Sequence, residues 1–282
     1  MSDQDKFEAT HSFFFTGFNT ERHLEDIPAD DELATSFIHN LASVISVLEI
    51  PIALSQTRAA FQIFEGHRTQ HAILNAVPQI PGTPDEEYEA EQAERTEESL
   101  KVALDIYLEE MKTPAGIERF WNRTYGFLEV CLENNNELQA ASKELLKQGI
   151  VLLWSSLEVL VRDFAIREIN KCPEIIRDVD VKSVPLETLA RYHYDVKDRL
   201  GEIFAEQRDW SNYSVICEVL KRICPKKVEL HKKMKAEDLY GLSKKRDLIV
   251  HRRGIIDRQY KEETREKGNI GDVLDITPAQ LK

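Results

Sequence analysis

The spacing of apolar residues constrains the fold of this chain most, because it repeats every three or four residues through almost every long segment. The longest such pattern is "ASKELLKQGIVLLWSSLEVLVRDFAIREI", residues 141–169. Its apolar positions form a wide stripe along one side of a helix, at Leu145, Ile150, Leu153, Leu157, Leu160, Val161 and Phe164. A stripe of this width is typical of a helix in the core of a globular protein. The pattern therefore predicts a long core helix over residues 137–170.

The same periodicity predicts further helices, which end at prolines, glycines or asparagine-rich turns. They are expected at residues 31–48, 54–76, 87–111, 117–132, 195–207, 213–222 and 236–252. The first is expected to end before Pro51, because proline lacks the N–H that an interior helical residue donates. Near the C-terminus, "NIGDVLDITPAQL" predicts a short extended segment that leads into a helix start at "TPAQL". The sequence thus predicts an all-α protein, with an N-terminal helical region of residues 1–130 and a C-terminal helical domain of residues 131–282.

Charge is distributed unevenly along the chain, whose net charge is −13. Residues 221–267 hold sixteen Lys or Arg and eight Asp or Glu, whereas residues 78–110 hold eleven acids and two bases. The negative total argues against a protein that coats nucleic acid indiscriminately, but it is compatible with one local basic site. The acidic stretch is expected to be a solvated helix face or a flexible connection.

The composition favours a cytoplasmic protein without a metal ion or another cofactor. The longest apolar run, "GIVLLW", is too short to cross a bilayer, and the first residues, "MSDQDKFEAT", lack the basic-then-apolar order of a secretory signal. The four cysteines form no C-x-x-C pair and are expected to be reduced thiols. His67 and His71 lie four residues apart on a predicted helix, but no third ligand for a zinc ion is apparent. We therefore expect no metal site and no membrane association.

One basic stretch, "KKRDLIVHRRGIIDRQY" at residues 244–260, surrounds a single histidine with positive charge. On the helix predicted there, residues four apart lie about 40° apart in projection and residues five apart about 140°. Asp247 and His251 therefore share a face, whereas Arg246 points away from His251. Arg246 and His251 can bind one phosphate together only if the helix end unwinds or a second copy of the helix supplies the missing partner. The alternative is helix capping, because a histidine and two arginines just before Gly254 stabilise the negative end of the helix dipole.

The stretch "RDLIVHRRGIIDRQY" resembles the signature of the HEPN superfamily, an arginine followed by a polar residue, a short spacer and a histidine. The resemblance extends to an earlier tryptophan-containing helix, "LLWSSLEVLVRDF", and to the late segment "IGDVLDITPAQL". It covers roughly residues 140–282 and looks like the bacterial branch called RiboL-PSP-HEPN. The resemblance implies a bundle of four to five helices that pairs head-to-head, so that two Arg/His motifs meet in a cleft between protomers.

The resemblance further implies that the protein cuts RNA without a metal ion. His251 would then be the general acid or base, Arg246 the ligand of the scissile phosphate, and Asp247 the residue that orients His251. Three further basic residues would contact the RNA backbone: Lys245, Arg252 and Arg253. Glu158, on the earlier helix, would either face the cleft or be solvated.

Two functions follow from these expectations. The first is a metal-independent RNA endonuclease, a toxin or antiphage defence effector that acts as a homodimer. Its antitoxin or defence-complex partner would bind through residues 1–130. The alternative is a non-catalytic HEPN-fold module that binds RNA, a nucleotide or another protein.

Overall fold

The computed structural model describes residues 31–76, 85–178, 183–264, 266 and 268–281. This part of the chain contains ten α-helices, two short 3₁₀ helices and no β-strand. The α-helices are α1 Glu32–Leu74, α2 Asp85–Glu110, α3 Pro114–Glu133, α4 Asn136–Lys171, α5 Leu186–Arg191, α6 Leu200–Glu206, α7 Tyr213–Ile223, α8 Val228–Met234, α9 Glu237–Arg252 and α10 Arg258–Thr264. The 3₁₀ helices are Pro173–Asp178 and Pro278–Leu281. The all-α fold predicted from the periodicity is confirmed.

The first helix, α1, is longer than the sequence predicts, because it continues through Pro51. The predicted helices 31–48 and 54–76 are therefore one helix, and the predicted break between them is wrong. Buried positions recur at three- and four-residue steps on both sides of the proline, at Val44, Leu48, Ile52, Ser55, Ala59 and Ile63. Packing along this face offsets the backbone hydrogen bond that is lost at the proline.

The described residues form two compact units. The first unit consists of the described residues within 49–142, and the second consists of those within 31–48 and 143–281. Both boundaries fall inside helices, so that α1 and α4 each contribute to both units. The predicted division at residue 130 stays a prediction, and residues 1–30 of the predicted N-terminal region lie outside the described residues.

The core of the second unit surrounds Trp154 of α4, which is fully buried. Buried side chains of later segments complete this core, among them Phe204, Trp210, Ile216 and Val219. The indole N–H of Trp154 donates to the carbonyl of Ser211 at 3.3 Å. α6 approaches α4 closely at Gly201, where a side chain would collide with the backbone of α4. The strongest periodic segment of the sequence thus becomes the central helix of this unit.

The first unit leaves more apolar surface exposed than the periodicity predicts. One buried cluster consists of Ile52, Leu128 and Leu132. On α2, by contrast, three leucines of the predicted apolar face are 41–48% exposed, namely Leu100, Leu104 and Leu108. The spacing identifies which residues of a helix share a face, but it does not determine whether another element covers that face.

The chain before α6 turns where the sequence predicts helix. The backbone φ angles of His193, Tyr194 and Asp198 are 52°, 58° and 59°, in the left-handed region. A right-handed helix cannot continue through such residues, so α6 begins at Leu200 and the predicted helix 195–207 is too long.

The C-terminal segment returns to the end of α9. The N–H of Leu274 donates to the carbonyl of Gly254 at 2.7 Å, and Ile255 and Val273 form an isolated antiparallel bridge. Leu274 and Ile276 are buried. The predicted extended segment, followed by a helical turn at "TPAQL", is confirmed.

By length and composition alone, α1 could cross a membrane. An 18-residue window of this helix has a mean hydropathy of 1.7, and 22% of the window is buried. The core helix of a soluble protein passes the same test when it is mostly buried. The apolar residues of this helix are interrupted by polar ones, so no unbroken apolar run marks it in the sequence. The absence of membrane association stays a prediction.

Candidate functional site

The histidine singled out in the sequence lies in the last turn of α9, beside a cleft. The cleft has a volume of about 250 Å³ and lies between α9 and the segment that contains α10. Besides His251 and Tyr260, the charged residues that line it are Lys244, Asp247, Arg252, Asp257 and Glu263. His251 is exposed there. Asp247 and His251 therefore face one cleft, as their helical spacing predicts.

Arg246 points away from this cleft and packs against α4. Its Nη2 lies 3.4 Å from Oε1 of Glu158, and its Nη1 donates to Oδ1 of Asp247 at 3.0 Å. The side chains of Arg246 and Glu158 are only 14% and 18% exposed. The predicted divergence of Arg246 from His251 is confirmed. Within one copy of the chain, these two residues do not share a phosphate site, because they lie on different faces of α9.

Glu158 is the residue of this region whose place the sequence left open. It is mostly buried against Arg246 rather than fully solvated. Desolvation raises the pKa of the Glu158 carboxyl, and the nearby charges of Asp209 and Asp247 raise it further, whereas Arg246 and the indole of Trp154 act in the opposite direction. The sequence feature that could have indicated this burial is that Glu158 is the single carboxylate in the apolar stretch "LLWSSLEVLV".

Two lysines of the basic stretch form ion pairs within the fold. Nζ of Lys244 lies 2.9 Å from Oε2 of Glu263, and Nζ of Lys245 lies 2.6 Å from Oε1 of Glu266. The Lys245 side chain is 13% exposed, and the other oxygen of Glu266 accepts a hydrogen bond from the hydroxyl of Tyr260. Lys245 is paired inside the protein, since the chain after α9 brings an acid against it, and its contact with RNA stays a prediction.

The cleft itself is not strongly basic. It contains two cations, Lys244 and Arg252, and three carboxylates, Asp247, Asp257 and Glu263. Nε of Arg252 lies 3.7 Å from Oδ2 of Asp257. The basic stretch of the sequence therefore does not form a basic cleft, because residues 257–263 add two carboxylates, Asp257 and Glu263, to its lining.

Arg252 and Arg253 remain exposed at the end of α9, directly after His251. The backbone of Arg253 lies in the left-handed helical region, with φ 56° and ψ 28°. The N–H of Gly254 donates to the carbonyl of Leu248 at 3.0 Å. This geometry ends the helix just before Gly254, as the sequence predicts, and the stabilisation of the helix dipole by the basic residues stays a prediction. It also leaves both guanidinium groups at the surface, Arg253 exposed and Arg252 loosely paired with Asp257, where they can bind an anion beside the imidazole of His251.

The two histidines considered as metal ligands take different partners in the first unit. Nε2 of His67 lies 2.7 Å from Oε2 of Glu110, and Nδ1 of His71 lies 3.1 Å from the hydroxyl of Ser99. Among the residues that the structure describes, no group of three or more His, Cys, Asp or Glu side chains is arranged to hold a metal ion. His67 and His71 therefore contact different groups here, and the absence of a metal site stays a prediction.

Comparison with protein-family models, with curated proteins and with solved structures finds no match for this chain. The resemblance of the Arg/His stretch to the HEPN superfamily therefore remains a hypothesis. The class that the fold defines is an all-α protein with an exposed histidine, a carboxylate and two arginines around one helix end.

Proposed function

We propose that this protein is a metal-independent RNA endonuclease of the HEPN type, a cytoplasmic toxin or antiphage defence effector. The observation that supports this proposal is the placement of exposed His251 and Asp247 in one cleft, next to exposed Arg252 and Arg253. RNA is the proposed substrate, because its own 2′-hydroxyl can attack the adjacent phosphorus and no metal-activated water is needed.

His251 carries the proton in this reaction. It removes the proton of the 2′-hydroxyl or gives one to the 5′-oxygen that leaves, and the P–O bond to that oxygen breaks as the bond to the 2′-oxygen forms. Asp247 orients the imidazole from one turn earlier. Arg252 and Arg253 bind the phosphates on either side and stabilise the added charge of the phosphorane.

The reaction needs both a base and an acid, whereas each described cleft contains one histidine. A homodimer that brings two such clefts together supplies both groups. Residues 1–130 are left for an antitoxin or defence-complex partner under this proposal. A monomeric mass in solution under conditions of cleavage would contradict the composite site.

The test is cleavage of single-stranded RNA in the presence of EDTA by the wild-type chain, by His251→Gln and by a matched control, His39→Gln. His39 is exposed on α1 and is remote in sequence from the basic stretch. We expect the wild type and the control to cut, and His251→Gln to lose roughly 100-fold or more in rate, as for loss of a general acid or base. Equal cleavage by all three, or no cleavage by the wild type, would contradict the proposal.

A second candidate is a non-catalytic HEPN-fold module that binds RNA, a nucleotide or a protein. The pairing of Lys244, Lys245 and Arg246 with acids favours it, because these cations are used within the protein. Tight binding of RNA without cleavage, unaffected by His251→Gln, would support this second function.

A further inference from the structure

Arg246 lies outside the cleft of His251, where a residue that binds the substrate directly would have to be. Its guanidinium is mostly buried, lies against α4, and is absent from the lining of the cleft that holds His251. It nevertheless contacts that cleft indirectly, because its Nη1 donates to the carboxylate of Asp247. Asp247 is 44% exposed and lines the cleft.

We propose that Arg246 is a positioning residue that acts through Asp247, and that Glu158 of α4 is the anchor that holds Arg246 in place. Only the catalytic effect of this inference rests on the proposed function. The contacts from Glu158 through Arg246 to Asp247 are the same whether or not the protein cuts RNA. The three charged groups form a line from the core helix α4 to the cleft, and the exposed imidazole stands one helical turn beyond its end.

The energetics favour this role over phosphate binding. To reach a phosphate beside His251, Arg246 would have to leave Glu158, whose carboxylate would then be largely desolvated without its cation. Removing one partner from a mostly buried ion pair destabilises the protein, because the remaining charge is left without a counter-ion. An exposed arginine such as Arg252 or Arg253 binds phosphate without that cost.

The geometry also explains why an anchor is needed. The carboxylate of Asp247 can rotate about its χ angles, and its 44% exposure leaves it free to do so on the cleft side. A hydrogen bond of 3.0 Å from Arg246 selects one orientation. Because Arg246 is held in turn by Glu158, the orientation of Asp247 towards His251 depends on a residue that never enters the cleft.

The first experiment reads the environment of His251 and needs no enzymatic activity. Full-length protein is labelled with ¹³Cε1-histidine, and the His251 cross-peak is identified by its loss in His251→Gln. We expect Glu158→Gln, Arg246→Lys and Asp247→Asn each to shift this peak, while the other histidine peaks stay in place. In the Asp247→Asn background, the shift caused by Arg246→Lys should largely disappear.

Controls and a safeguard accompany this measurement. Glu218→Gln and Arg222→Lys alter an ion pair that is 46% and 40% exposed on α7, and they should leave the His251 peak unmoved. If a single change impairs folding, the double variant Glu158→Gln, Arg246→Met removes both charges together and keeps the volume similar, which buried ion pairs tolerate better. The double variant should still shift the peak.

An unmoved His251 peak in Glu158→Gln and Arg246→Lys would overturn the inference. An equal shift from Arg246→Lys with Asp247 present and with Asp247→Asn would overturn it as well, because Arg246 would then act on His251 directly.

The second experiment separates positioning from substrate binding. We expect Arg246→Lys and Glu158→Gln to lower kcat for RNA cleavage on the order of 10- to 100-fold with little change in KM, as misplacement of a reacting group does. A rise in KM with an unchanged kcat would instead make Arg246 a substrate ligand. If the wild type does not cleave RNA, the proposed function fails, while the NMR comparison still decides the positioning role.

Discussion

Gly201 at the start of α6 offers the sharpest test of how the second unit is packed. A Cβ added at this position would lie 2.7 Å from Cα and 2.9 Å from the carbonyl carbon of Ile166 in α4, and closer still to the oxygen. Optimal contacts between carbon atoms are about 3.5–4.0 Å. The neighbouring atoms are backbone, so no side chain can rotate away and the two segments must separate by about 1 Å.

The expected effect of Gly201→Ala follows from two opposed terms. Alanine favours a helix over glycine by about 0.8–1.0 kcal/mol. Overpacking of a close contact costs about 1–3 kcal/mol and occasionally more, and separation also strains the hydrogen bond of 2.7 Å from the Gly201 N–H to Asn170. Because the obstacle is a helix backbone, we expect the upper part of this range and a net loss of about 2 kcal/mol.

Gly241→Ala is the matched control, because Gly241 lies inside α9 of the same unit and a Cβ there meets nothing within 4 Å. This change should stabilise the protein by about 0.4–1 kcal/mol. In urea, with a slope of about 2 kcal/mol/M, Gly201→Ala should lower the midpoint by about 1 M, whereas Gly241→Ala should raise it slightly. A rise in the midpoint for both variants would refute the close approach of α6 to α4.

Two further predictions concern the candidate site. First, burial raises the pKa of Glu158 above the ordinary value of 4.5, so the folded state holds this proton more tightly than the unfolded state does. The stability that this proton contributes is fully present below about pH 4.5 and is lost as the pH rises through the raised pKa of the folded state. Wild type should therefore lose stability relative to Glu158→Gln as the pH rises above about 4.5, and urea titrations at several pH values check this. A constant difference would contradict the burial of the carboxylate. Second, Lys245→Met should lower stability by about 1–3 kcal/mol because Glu266 loses its partner, yet leave RNA affinity unchanged. Arg253→Gln should instead weaken RNA binding and lower the slope of log K against log salt concentration by about 1, with little effect on the melting temperature. Weaker RNA binding by Lys245→Met, together with a loss of stability in Arg253→Gln, would contradict these roles.

The part of the site that could be predicted is the part that depends on helical spacing. Asp247 and His251 face one cleft and Arg246 diverges because four and five residues correspond to fixed rotations about a helix axis. The same rule located α2, α3, α4, α7 and α9 within a few residues. The ion pair of Lys245 with Glu266 could not be predicted from helical spacing, because Glu266 lies beyond the helix in a turn whose path no local rule specifies.

The sequence by itself determined five helices of this protein, α2, α3, α4, α7 and α9, because backbone hydrogen bonds and side-chain spacing in a helix join residues only a few positions apart. Only the tertiary structure decided that α1 continues through Pro51, that Glu158 meets Arg246, and that acids after α9 enter the cleft of His251. These contacts join residues on different elements. They are selected by the packing of the whole unit, since a proline is tolerated where a continuous face is buried and a buried charge must find its counter-ion.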